Sequence, residues 1–140
     1  IRLKGSQHSW GINTSGLGGR SFTRGIASAV TVFAKTSTIA DAAATGIANE
    51  CYVNDRAIIQ LPAEQLDPNT DLQGVPVTVE VGHLSEELWS KAIAQAKRKA
   101  ETLVSKDIIQ GAVIVADGKM VLTDDFTSAI SNDFVSKREF

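Results

Sequence analysis

The sequence predicts an α+β fold, a mostly antiparallel sheet with two main helices packed on it. Three observations predict it. Residues 38–51 and 85–105 have helical composition and spacing, and residues 27–34, 75–81 and 108–116 carry β-branched runs of strand length. Asp117-Gly118 stands between two apolar runs, the clearest hairpin turn in the chain. The 140 residues suffice for one ordinary domain with a real core, which needs no disulfide or structural metal to fold.

Each element has its own reason. Six of the 11 glycines fall within the first 25 residues, so that region reads as strand and turn, not helix. Residues 9–14 read as an extended strand with Trp10 and Ile12 on one face, and Gly16-Leu17-Gly18-Gly19-Arg20 as a turn. Val30, Thr31 and Val32 make residues 27–34 a buried strand. Thr36, Ser37 and Thr38 can each cap a helix, and the alanines that follow favour a helix lying close against a sheet. Prolines, aspartates and Gly74 mark residues 61–74 as loop. Val75, Val77, Val79 and Val81 alternate with Pro76, Thr78 and Glu80, predicting a strand with one buried face. Ser85, Glu86 and Glu87 begin the longest helix, whose apolar stripe includes Trp89, Ile93, Ala96, Ala100 and Leu103. Residues 108–116 and 119–122 are the arms of the hairpin. The order is β-β-α-β-β-α-β-β. Residues 1–123 form the predicted domain and residues 124–140 a tail without clear periodicity.

Composition narrows the function. A hydrophobic content of 43%, a charged content of 21% and a net charge of −2 exclude disordered and collagenous classes and give no basic excess for a nucleic-acid partner. One cysteine excludes an internal disulfide framework and a multi-cysteine metal site. No apolar run reaches the roughly 20 residues of a membrane helix, so no membrane partner is expected. No signal peptide is visible, which points to the cytoplasm. The chain opens Ile1-Arg2-Leu3-Lys4 without an initiator Met, so either Met was removed with more sequence or this is a piece of a longer polypeptide.

Few residues are candidates for chemistry. Asp41 and Thr45 are four apart on the first predicted helix and share a face. Two readings fit them: hard oxygen ligands suited to Mg²⁺ or Ca²⁺, or a dipole-placed carboxylate beside a Thr that bonds back to a carbonyl. Asn13-Thr14-Ser15-Gly16 reads either as a phosphate-holding segment offering backbone N–H groups or as a plain strand-end turn. Arg20, Ser21 and Arg24 add donors after it. His8 and His83 read as structural residues, Cys51 as a small buried hydrophobe, Trp10 and Trp89 as core, and the basic run 97–99 as a solvated helix face.

Several of these segments together resemble one superfamily. Gly11-Ile12-Asn13-Thr14-Ser15-Gly16, Gly19-Arg20-Ser21-Phe22, Ala29-Val30-Thr31-Val32-Phe33-Ala34, Ala40-Asp41-Ala42-Ala43-Ala44-Thr45 and Ile47-Ala48-Asn49 occur in that order. They resemble the ApbE superfamily, the FAD:protein FMN transferases. The likeness is closer to an ApbE-like branch that is also a domain of proteins called 6-hydroxynicotinate reductases. It spans most of residues 7–123.

The resemblance implies an ApbE-like, T-fold-like layered half, with Mg²⁺ on Asp41 and Thr45 beside a flavin pyrophosphate. It implies FAD or FMN, or another nucleotide, near Asn13, Thr14, Ser15, Gly16, Arg20 and Ser21. Two departures bear on activity. Asn13 stands where the transferases have a small Ala, and their H-x-x-D-P-x-T-G segment is missing between the two motifs, where only residues 17–28 lie. The superfamily also has a long segment before the T-S-G motif, so this chain resembles a C-terminal half. A homo-oligomer or an N-terminal partner chain or segment is then expected. Whether the domain is itself an enzyme stays open. The alternatives are a structural or assembly subunit and an accessory domain of a larger reductase.

Overall fold

The computed structural model describes residues 10–126. Their order is β1 (Gly11–Ser15), β2 (Ala29–Ala34), α1 (Ser37–Glu50), β3 (Ile58–Pro62), a short 3-10 turn, β4 (Pro76–Val81), α2 (Glu86–Ser105), β5 (Ile109–Ala116) and β6 (Lys119–Leu122). The fold is α+β and every strand pairing is antiparallel, as the sequence predicts. The strands divide between two sheets, one ordered β1-β2-β5-β6 and one made of β3 and β4 alone.

Strand alternation builds the main core. Val30, Val32 and Ala34 of β2 and Ala112, Ile114 and Ala116 of β5 are buried and belong to one core cluster with residues of both helices. The pairs Val30↔Ile114 and Val32↔Ala112 put these side chains on the same face. Helix α1 lies over β1 and β2, α2 lies over β5, and the two helices touch. Alanine allows that closeness: Ala40, Ala43, Ala44 and Ala48 of α1 and Ala92, Ala96 and Ala100 of α2 are buried. Thr36 caps α1 by accepting from the Ile39 N–H at 3.2 Å, and Ser85 caps α2 by accepting from the Leu88 N–H at 3.3 Å. Asp117 and Gly118 both have positive φ, 51° and 66°, the backbone a two-residue hairpin requires.

The opposite face of the four-stranded sheet is only partly covered. The Phe126 ring packs on Phe33 with centroids 4.7 Å apart. Ile12, which pairs with Phe33 across the sheet, is 49% exposed, and Met120 is 65% exposed. Trp10 is 41% exposed, which corrects its expected place in the core: it precedes the edge strand β1 and has no covering layer. Trp89 is half-buried and packs against the core from its rim.

Strand β4 also departs from its expected alternation. Val77 and Thr78 are both buried, while Val79 is exposed. The reason is tertiary. Thr78 donates its N–H to the Thr23 carbonyl at 2.8 Å and its hydroxyl to the Arg24 carbonyl at 3.0 Å, so the 23–25 loop covers a polar residue. A register shift between Ile59 and Gln60 accompanies it. The loop expected over 61–74 begins later, because Leu61 and Pro62 complete β3 and Ala63–Gln65 form the 3-10 turn. The tail residues 127–140 and His8 lie outside the described residues.

Candidate functional site

Strand β1 and helix α1 run side by side at the open edge of the large sheet. Gly11 abuts the backbone of Thr36 and Ser37, where a Cβ would collide. Two residues on, the Asn13 side-chain amide donates to Asp41 Oδ1 at 3.0 Å. The Asn13 side-chain oxygen accepts from the Thr14 N–H at 2.7 Å, so both ends of that amide are fixed. A strand advances about 3.3 Å per residue and a helix about 1.5 Å, so two strand residues match about four helix residues. Ser15 and Thr45 lie two strand residues and four helix residues further along the same two elements.

Ser15 is the unusual member. Its side chain is buried, the residue being 5% exposed, and its hydroxyl oxygen has no hydrogen-bond partner. Buried polar groups of this kind are uncommon because the lost hydration is not replaced. Asp41 is exposed and Thr45 half-buried. The Thr45 hydroxyl does not bond back to its helix, unlike that of Thr102, which donates to the Arg98 carbonyl at 2.9 Å. The two elements thus carry one carboxylate, two hydroxyls and an amide, of which the Asn13 amide and the Asp41 carboxylate meet. Among the described residues no three His, Cys, Asp or Glu side chains come together, so an all-protein metal cage is not what these residues make. Their hard oxygens fit a cation that keeps water and takes further ligands from a bound phosphate, the usual habit of Mg²⁺.

The other expected site residues are placed differently. Thr14 points to the opposite face, as alternation demands, and its hydroxyl is 2.8 Å from that of Thr31. Gly16 has φ +136°, and a Cβ there would lie 2.8 Å from the Ser28 carbonyl oxygen, so glycine is required by the turn itself. The expected cradle of backbone donors is largely consumed. The N–H groups of Leu17, Gly18 and Gly19 donate to the carbonyls of Ala27, Ser28 and Gly16 at 2.9, 3.0 and 3.0 Å. Arg20 and Ser21 are exposed beyond that turn. His83 is exposed. Cys51 is fully buried, and burial pushes its thiol up from 9.0 to about 12, which leaves it a protonated core side chain.

Asn49 is a structural residue that the spacing arguments leave without a role. Its side-chain oxygen accepts from the Thr23 hydroxyl at 3.2 Å and the Arg24 N–H at 2.9 Å, tying the loop after β1 to the end of α1. The only sequence signal for it is the Ile47-Ala48-Asn49 segment, which carries no contact information by itself.

No curated protein and no solved structure matches the chain. A family model described as AbpE bacteria matches residues 1–122, a stretch that runs from before β1 to the last residue of β6 and includes the whole Asn13, Ser15, Asp41 and Thr45 edge. The chain therefore belongs to the AbpE bacteria family.

Proposed function

We propose that the β1–α1 edge binds an anionic ligand, a flavin or other nucleotide, together with Mg²⁺. The observation that carries this reading is the buried, unpartnered hydroxyl of Ser15, two residues along β1 from the Asn13–Asp41 hydrogen bond. A ligand oxygen or a metal-bound water would satisfy that hydroxyl. Asp41 and Thr45 would hold Mg²⁺, and the ion would neutralise phosphate charge. Asn13 keeps the Asp41 carboxylate aimed along the edge by donating to one oxygen and leaves the other for the ion. The resemblance to ApbE-type FMN transferases supports the same ligand class, and the missing H-x-x-D-P-x-T-G segment argues against assigning their transfer reaction here. Titration calorimetry with ADP, FMN and FAD, with and without Mg²⁺, tests the reading. Heat that requires Mg²⁺ and disappears in Asp41→Ala supports it. Mg²⁺-independent binding that survives Asp41→Ala, or no binding of any of the three, contradicts it.

A second reading rests on a different observation. The outer sheet face leaves Ile12 and Met120 exposed, and Trp10 stands exposed beside β1. Such a face suits a structural or assembly role, in a homo-oligomer or against an N-terminal partner chain or segment. The two readings are separable, because the edge lies between β1 and α1 while the apolar face lies on the other side of the sheet.

A further inference from the structure

Away from that edge, at the C-terminal end of α1, a cleft of about 240 Å³ is lined by Arg24, Asn49, Glu50, Tyr52, Gln60 and Gln95. Every lining side chain is polar. They come from the loop before β2, the end of α1 and the residues just after it, β3 and the middle of α2, so four parts of the chain converge there. The volume is below the roughly 300 Å³ at which pockets for drug-sized ligands begin, so a small ligand is implied.

The position of Arg24 is built by its surroundings. Its N–H donates to Asn49 Oδ1 at 2.9 Å, and its carbonyl accepts from Gln60 Nε2 at 2.8 Å and from the Thr78 hydroxyl at 3.0 Å. The neighbouring Gly25 presses so closely on the Ala48 carbonyl that a Cβ would overlap it, and Ile26 donates to the Cys51 carbonyl at 2.7 Å. All these bonds use the backbone of residue 24 and its neighbours, so none constrains the guanidinium. Among the described residues that guanidinium forms no ion pair, and neither does Glu50, although both line the cleft. A free cation and a free anion therefore share one small polar space without meeting. A guanidinium suits a carboxylate, with two parallel donors for its two oxygens. A carboxylate accepts from an ammonium.

We propose that this cleft binds a small zwitterion of amino-acid size, its carboxylate on Arg24 and its ammonium on Glu50. Gln60 Nε2 is already engaged by the Arg24 carbonyl and the Thr78 hydroxyl, so its Oε1, the Gln95 amide and the Tyr52 hydroxyl are what remains to complete the hydrogen bonds of those two charged groups. This site is independent of the β1–α1 edge and of the reading given to it.

The test is an NMR titration of the whole chain with L-alanine, and with acetate and methylamine separately at equal concentrations. Expected is a saturable shift of the backbone amides of Arg24, Glu50, Tyr52 and Gln95 with L-alanine and a much weaker response to either half-molecule. Arg24→Gln and Glu50→Gln should each raise the Kd for L-alanine by about tenfold or more, the loss of one charge-assisted contact. Both should keep the parent's melting temperature, since neither charge has a partner to lose. Asp41→Ala should bind L-alanine as the parent does. Equal affinity for acetate and L-alanine, no saturable shift at these amides, or parent-like binding by both variants would overturn the proposal.

Discussion

Ser15 is the residue at which stability and the proposed binding are expected to part. A buried hydroxyl without a partner costs free energy that a methyl group would not, of the order of 1 kcal/mol. Ser15→Ala should therefore leave urea stability unchanged or raise it by up to about 1 kcal/mol, while weakening Mg²⁺-dependent nucleotide binding. A variant less stable than the parent would mean that the hydroxyl has a structural partner, and the site would lose its main support. Cys51 makes the opposite case, a reactive group silenced by its surroundings. Burial holds its thiol at about 12 against an ordinary 9.0, so it stays protonated in the native protein. Its raised pKa also sets a sign: this contribution to stability is complete below pH 9.0 and is lost as pH rises toward about 12, because the unfolded thiol ionises first. Maleimide labelling at pH 8 should follow global unfolding, and rapid labelling of the native protein would contradict the burial. At this scale the sequence is partly legible. The spacing of Asp41 and Thr45 marks them as sharing a face, whereas the loss of Thr14 to the other face follows from alternation and was open to the same reasoning. The consumption of the Leu17, Gly18 and Gly19 N–H groups depends on where residues 27 and 28 lie, which no local pattern states.

At the scale of elements, caps and periodicity made both helices and the final hairpin readable. Thr36 is the test of this, since its hydroxyl satisfies the Ile39 N–H at the start of the helix that carries Asp41. Thr36→Ala should cost about 1 kcal/mol, with Thr36→Ser recovering most of it, measured by urea unfolding. A neutral Thr36→Ala would mean that packing of the alanine face alone fixes the start of α1. The division of strands into two sheets and the broken alternation of β4 were not readable. The broken alternation goes with the 23–25 loop, whose carbonyls accept from Thr78 and Gln60, residues more than 30 positions away. Hydrophobic period describes an element's own faces, and here a polar partner from elsewhere decides which face is covered.

At the scale of the molecule, a four-stranded sheet has helices on one face and an incomplete cover on the other. Ile12 and Met120 are single residues on that open face, so a charge placed on one of them should not disturb the core. Ile12→Lys should preserve the melting temperature and, where the chain self-associates, shift it to the monomer by light scattering; an oligomer that survives the change would place its interface elsewhere. The β1–α1 edge is a separate feature, proposed above to gather a divalent cation with a phosphate ligand through Asp41, Thr45 and Ser15. Mn²⁺ is a paramagnetic substitute for Mg²⁺ and broadens nearby amide signals. Added at substoichiometric amounts in the presence of ADP, it should broaden the amides of Asn13 to Ser15 and of Asp41 to Thr45 first, and ADP should be required for the effect. Broadening centred on any other part of the chain, or the same broadening without ADP, would rule out a cation shared by these residues and a phosphate.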